Sequence, residues 1–180
     1  MNFIEIEIKG YSIGFMSHSS IGFCCKFSYE NPFVVMGLLV DWSIIETLIC
    51  ESKGINASKK MGLYLANIKQ VPDIVISSSA TRAKSTATLA IKSGNWNSHF
   101  LIDDRIYGRS SNFLLELTHL LDNSHKSVCF VGHEPTCSSF ISLCTFHSQK
   151  FKTGSMAKID YNRSNWNKIK FGEGSLDWIK

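Results

Sequence analysis

Two short apolar runs in this chain each end in a turn that carries residue types suited to binding an anion. Residues 73–76 lead into a serine-rich loop that contains Ser78 and ends at Arg82, and residues 128–131 lead through a glycine to His133. Unbroken apolar runs of this length are typical of strands buried on both faces of a sheet, and ligands bind at the carboxyl edge of open α/β sheets. Hydroxyls, a guanidinium and the N–H groups of a helix start together favour an anion site at such an edge.

The composition favours one globular domain spanning residues 1–180. Hydrophobic residues make up 44% of the chain and charged residues 19%, which separates it from disordered sequences. The net charge of +4 is mild and suits a small anionic substrate. We find no dense run of Lys and Arg, so we expect no nucleic-acid partner.

The cysteines favour a reduced, cytoplasmic protein. None of the six forms a C-x-x-C pair, and we find no secretory signal pattern after Met1. Cysteines and histidines do not cluster at ligand spacing, so we expect no metal.

The apolar stretch of residues 33–50 resembles a membrane span in hydropathy but is interrupted by Asp41 and Glu46. It is also short for a bilayer, and carboxylates near the bilayer centre are costly. We therefore expect a buried helix or a strand–helix pair, and no membrane partner.

The periodicity of the chain predicts strands that alternate with helices. This alternation indicates a mainly parallel sheet covered on both faces, which is a three-layer α/β/α sandwich. Residues 21–46 show no clear period. The predicted helices span residues 54–68, 82–91, 112–121 and 135–145, and the predicted strands span residues 3–8, 11–16, 73–76, 100–102, 128–131, 155–161 and 176–179.

Several ordered motifs in residues 48–180 together resemble one family. They include the helix pattern with Gly54, Ala57 and Met61-Gly62, the run from Pro72 through Arg82-Ala83, Asp103-Asp104-Arg105-Ile106-Tyr107, Val131-Gly132-His133-Glu134-Pro135-Thr136, Thr153-Gly154-Ser155, and Trp166 with Gly172-Glu173-Gly174. The combination resembles the histidine phosphatase superfamily (phosphoglycerate mutase-like), and within it the SixA-like branch of phosphohistidine phosphatases. Residues 1–47 match this family poorly.

The resemblance implies a metal-independent and cofactor-independent reaction. A histidine after the first strand attacks phosphorus and becomes phosphohistidine, which water then hydrolyses, while two arginines and a second histidine bind the phosphoryl oxygens. By position, the resemblance makes His18 the nucleophile, Arg82 the second pocket arginine and His133 the second pocket histidine. Ser78, Thr153 and Gly154 would border the substrate, which is a phosphorylated protein or a small phosphate compound.

The first motif departs from the family. Ser17 stands where the family has an arginine, and no arginine precedes Arg82. We therefore expect a phosphatase acting on phosphohistidine or a small phosphate ester, with a catalytically impaired phosphate-binding or regulatory module as the alternative. A third interpretation is that residues 1–47 come from a wrong start, a retained intron or a frame error. Asp103 and Asp104 are both candidates for the leaving-group acid, and the spacing selects neither.

Overall fold

The computed structural model describes residues 33–37, 47–148, 151 and 154–180 of the chain. Within these residues, strands and helices alternate up to the fourth helix, and two further strands follow. In chain order the elements are β1 (Phe33–Gly37), α1 (Thr47–Asn67), β2 (Ile74–Ser77), α2 (Thr81–Gly94), β3 (His99–Ile102), a 3-10 turn (Asp104–Ile106), α3 (Ser111–His119), β4 (Ser127–Val131), α4 (Thr136–Thr145), β5 (Met156–Tyr161), a second 3-10 turn (Trp166–Lys168) and β6 (Gly174–Ile179).

The strands form one sheet in the order β3-β2-β4-β1-β5-β6. Strands β3, β2, β4 and β1 are mutually parallel, and β5 and β6 are antiparallel to their neighbours. The predicted mainly parallel sheet is therefore confirmed.

Helices cover both faces of this sheet because side chains alternate along the buried strands. On β4, Phe130 faces a core that includes Leu114 of α3 and Phe140 of α4. Its neighbour Cys129 faces the opposite core, which includes Leu65 of α1 and Ala87 of α2. The three-layer α/β/α arrangement is confirmed.

The apolar stretch of residues 33–50 contains a strand followed by the start of a helix, one of the two predicted alternatives. β1 occupies Phe33–Gly37 and lies between β4 and β5, while α1 begins at Thr47. The predicted strands at residues 3–8 and 11–16 lie outside the described residues. In the described part of the chain, no helix is long and apolar enough to cross a membrane.

Helix α1 begins earlier than predicted and continues through Gly54, which we took as its start. The Ser58 hydroxyl donates to the Gly54 carbonyl at 2.8 Å, as a helical residue can. Further along, Gly62 lets α1 approach α2 closely, because a Cβ there would overlap the Ala90 carbonyl oxygen. The Trp96 indole N–H donates to the Gly62 carbonyl at 3.0 Å and fixes this contact.

Asp73 aligns β2 with β4. Its carboxylate accepts from the backbone N–H groups of Lys126, at 2.6 Å, and Ser127, at 2.9 Å. In return, the Ser127 hydroxyl accepts from the Asp73 N–H at 2.8 Å. This reciprocal contact fixes the register of the two strands, so that the residues after their carboxyl ends lie side by side.

Candidate anion-binding site

The carboxyl ends of the four parallel strands lie level with one another. Val131 of β4 is in register with Ser77 of β2 and with Gly37 of β1, and Ser77 is in register with Ile102 of β3. The Ser78 N–H donates to the Val131 carbonyl at 2.9 Å, which carries the alignment one residue past the strands. The segments that follow β2 and β4 therefore meet at one edge of the sheet.

At this edge Arg82, His133 and Ser78 form a chain of hydrogen bonds. The Arg82 Nη2 lies 3.1 Å from His133 Nδ1, and His133 Nε2 lies 2.9 Å from Ser78 Oγ. A guanidinium only donates, so Nδ1 must accept and the imidazole proton must be on Nε2, which donates to Ser78. His133 is therefore neutral in this arrangement.

Burial and charge both keep His133 neutral. Its side chain is buried, and loss of solvation together with the nearby Arg82 charge lowers its pKa from 6.5 to about 4. Protonation would also put a proton on Nδ1 directly opposite an arginine N–H. The imidazole is consequently uncharged at neutral pH unless an anion enters the site.

Arg82 has an unused donor. Its Nε is buried and has no hydrogen-bond partner among the described residues. Arg82 is also the second residue of α2, and the N-cap residue before this helix, Ala80, makes no side-chain capping bond. A buried unsatisfied N–H is costly, and a helix start carries a partial positive charge. Both features favour an anion beside Arg82.

Tyr107 is a site residue that the sequence analysis did not single out. Its ring lies edge-to-face with the His133 imidazole, with centroids 4.9 Å apart at 82°, and the Arg82 guanidinium carbon lies 5.6 Å from its centroid. The only sequence signal was its place in the motif at residues 103–107. An open depression beside this cluster is lined by Ser79, Thr81, Arg82, Ser85, Asp104 and Tyr107.

The structure distinguishes the roles of Asp103 and Asp104, which the sequence could not do. Asp103 caps the first 3-10 turn and binds the Arg105 side chain through both carboxylate oxygens, at 2.9 and 2.7 Å. This bonding lowers the pKa of Asp103, so it remains an anion. Asp104 instead lines the depression next to Arg82 and Tyr107.

The three serines after residue 76 have different roles. Ser77 is buried and its hydroxyl donates to the Ser78 carbonyl at 2.9 Å. Ser78 contacts His133 and accepts from the Ala80 N–H at 3.3 Å, whereas Ser79 is exposed on the rim of the depression. Of the three serines, Ser78 is thus the one that belongs to the cluster with Arg82 and His133.

Other residues predicted for the site lie elsewhere or outside the described residues. His18, Ser17 and Thr153 belong to the part of the chain that the structure does not describe. Gly154 has a positive φ of 89°, and a Cβ there would meet Ala57 and no other described atom within 4 Å. It lines an apolar cavity between α1, α2 and the sheet.

Strand β1, which pairs with β4, is not followed directly by a histidine. β1 ends at Gly37, and the sequence continues Leu38-Leu39, whereas His18 precedes this strand. The described residues also contain no group of three or more His, Cys, Asp or Glu side chains that could hold a metal.

No protein-family model and no curated protein matches the sequence. Solved structures do match. A candidate phosphohistidine phosphatase SixA from Nakamurella multipartitia is 15% identical with a TM-score of 0.69, covering 83% of this chain and 95% of that chain.

Two other solved structures agree with this match. The protein histidine phosphatase SixA complexed with tungstate is 19% identical with a TM-score of 0.60, covering 82% and 95% of the two chains. A phosphoglycerate mutase from Plasmodium falciparum is 13% identical with a TM-score of 0.54, covering 83% and 88%. The fold of this chain is therefore the histidine phosphatase (phosphoglycerate mutase-like) fold, as in the SixA structures.

Proposed function

We propose that this chain binds the phosphoryl group of a phosphohistidine or of a small phosphate ester at Arg82, His133 and Ser78. The observation that carries the proposal is the buried Arg82 Nε, which has no hydrogen-bond acceptor among the described residues. A phosphoryl oxygen is a strong acceptor and carries the negative charge that the guanidinium requires. Guanidinium–phosphate pairs are also commonly bidentate, which uses Nε and one Nη together.

The neighbouring groups support the same ligand. When Arg82 turns towards an anion, His133 Nδ1 loses its donor and becomes free to take up a proton, which it can donate to a second phosphoryl oxygen. The uncapped start of α2 adds a partial positive charge. Charge-assisted hydrogen bonds of this kind contribute about 1.5–3 kcal/mol each.

Hydrolysis is the second candidate function. It requires a neutral imidazole in line with the phosphorus–oxygen or phosphorus–nitrogen bond that breaks, and His18 is the candidate from the resemblance. Asp104 lines the depression, and in this candidate function its carboxyl group, when protonated, would give the proton to the leaving group. The family fold favours this candidate.

The residues at and after the end of β1 favour phosphoryl binding without hydrolysis. The resemblance puts the nucleophile directly after the first strand, and the first described strand, β1, ends at Gly37 and is followed by leucines. Ser17 also replaces the arginine that would precede a catalytic His18. Losing one guanidinium from a phosphoryl pocket commonly costs several kcal/mol of transition-state stabilisation. We therefore propose phosphoryl binding as the function and hydrolysis as its rival.

The deciding experiment follows phosphate release from a phosphohistidine peptide and from p-nitrophenyl phosphate by the full chain. The same samples are titrated with inorganic phosphate by calorimetry. The variants are His18→Asn, His133→Asn and, as a matched control, His147→Asn, which changes an exposed histidine.

Binding of phosphate without turnover, weakened only in His133→Asn, supports the proposal. Turnover that disappears in His18→Asn and survives in His147→Asn would establish the hydrolase instead. A chain that neither binds phosphate nor releases it would contradict both functions.

A further inference from the structure

Tyr107 is an exposed aromatic residue whose backbone is anchored by its neighbours. Its side chain belongs to the exposed large hydrophobic residues, at 57% exposure, so burial in the core does not explain its place. The preceding residue, Ile106, is anchored in the core at 2% exposure. Asp103 caps the turn that leads to it, and Gly108 with a φ of 73° turns the chain away after it. The backbone thus holds the ring over the edge of the site.

The ring contacts both the Arg82 guanidinium and the neutral His133 imidazole of the anion site. It lies edge-to-face with the His133 imidazole at 4.9 Å and close to the Arg82 guanidinium at 5.6 Å. Arginine over an aromatic face is attracted by the ring quadrupole, and edge-to-face ring pairs have a preferred geometry. One side chain therefore restrains the two groups whose relative orientation defines the phosphoryl pocket.

We propose that Tyr107 is a positioning residue of this pocket: its ring holds Arg82 and His133 in their mutual orientation and keeps water from the imidazole. The inference rests on the proposed phosphoryl binding for its ligand, but its effect on His133 is independent of any ligand. The hydroxyl of Tyr107 makes no hydrogen bond to another described residue, so the aromatic ring carries the role.

The groups that face His133 from the described elements are few. Arg82 faces it from α2, Ser78 from the loop after β2, and Tyr107 from the turn after β3. The adjacent Glu134 is directed away, because its carboxylate accepts from the N–H and hydroxyl of Ser138. Removal of the Tyr107 ring would thus expose the imidazole to water without adding or removing a charge beside it.

The test compares Tyr107→Phe with Tyr107→Leu in the full chain. Proton NMR follows the His133 imidazole across a pH titration, with the resonance identified by its loss in His133→Asn. Calorimetry measures the dissociation constant of inorganic phosphate for each variant. Circular dichroism checks that both variants remain folded.

We expect Tyr107→Phe to keep the imidazole titration and the phosphate affinity of the unmodified chain. Tyr107→Leu should move the His133 titration upward towards 6.5 and weaken phosphate binding about three- to tenfold, as a lost aromatic–guanidinium contact would. A Leu variant with an unchanged His133 titration would overturn the inference, whatever the phosphate result. If no variant binds phosphate but the titration still moves, the positioning role stands and the proposed function fails.

Discussion

Every nitrogen of the Arg82 side chain is a hydrogen-bond donor and none is an acceptor, and this property fixes the protonation of its neighbour. His133 Nδ1 can contact a guanidinium only as an acceptor, so the imidazole remains neutral with its proton directed at Ser78. The proposed anion site draws on both groups: the buried Arg82 Nε has no hydrogen-bond partner among the described residues, and His133 has a lone pair that a proton can occupy once Arg82 turns away.

The low pKa of His133 predicts how the stability of the protein depends on pH. In the folded chain the pKa is about 4, below the ordinary 6.5, so the unfolded chain takes up the proton first as the pH falls. The contribution of His133 to the free energy of unfolding is complete above pH 6.5. It is lost as the pH falls from 6.5 towards 4. Between pH 7 and pH 4, the unmodified chain should lose about 3 kcal/mol more of its free energy of unfolding than His133→Asn.

Urea unfolding at a series of pH values checks this expectation. His147→Asn is the control, because it replaces an exposed histidine. Parallel pH profiles for the unmodified chain and His133→Asn would show that His133 is not held neutral by the fold.

At the scale of elements, the site depends on how closely helices and strands approach. Helix α2 carries Arg82, and its position against α1 is set where Gly62 meets the backbone of Ala90. Trp96 closes this contact with a hydrogen bond to the Gly62 carbonyl. Any side chain at position 62 must push the two helices apart.

Gly62→Ala should therefore destabilise the fold, although alanine favours helices more than glycine does. Overpacking of this kind costs about 1–3 kcal/mol, and the helix preference offsets about 1 kcal/mol of it at most. Thermal and urea unfolding measure the loss, with Leu63→Ala as the control because Leu63 is exposed at 49%. A Gly62→Ala variant as stable as the unmodified chain would mean that the helices are not in close contact.

The sequence predicted β2 and β4 well because each is a short apolar run between clear breakers. It did not locate β1, because the apolar run continues past Gly37 into Leu38 and Leu39, and the first polar residue after the strand is Asp41. It placed the start of α1 too late because Gly54 looked like a boundary, whereas tertiary packing carries the helix through it.

For the site, the same reasoning found the residues that directly follow strands. Ser78 and His133 closely follow buried strands, Arg82 lies in the first turn of the helix after β2, and the structure links the three by hydrogen bonds. Tyr107 was missed because an exposed aromatic in a loop has no periodicity, and its role depends on a contact between distant segments.

For the whole molecule, β1 holds two parts of the sheet together. It pairs with β4 on one side and β5 on the other, so among the described strands it is the one that joins the parallel part of the sheet to the antiparallel part. The boundary near residue 47, where the family resemblance begins, is therefore not a structural boundary. We propose that the domain includes residues 33–37 whatever the origin of the residues before them.

A chain restricted to residues 48–180 should consequently fail to fold cooperatively, whereas residues 33–180 should fold. Without β1, the inner edges of β4 and β5 lose their backbone partners, which is costly for buried strands. Circular dichroism melts and proton NMR dispersion compare the two fragments with the full chain. A cooperative melt of 48–180 at the same temperature as the full chain would show that β1 is dispensable.

The most direct test of phosphoryl binding is a calorimetric titration of the full chain with inorganic phosphate, repeated with Arg82→Gln and Arg105→Gln. Arg105 is the matched control because its guanidinium is already bound by Asp103. We predict binding by the unmodified chain, at least a tenfold loss in Arg82→Gln, and little change in Arg105→Gln. Equal binding by Arg82→Gln and the unmodified chain, or no binding by either, would contradict the account.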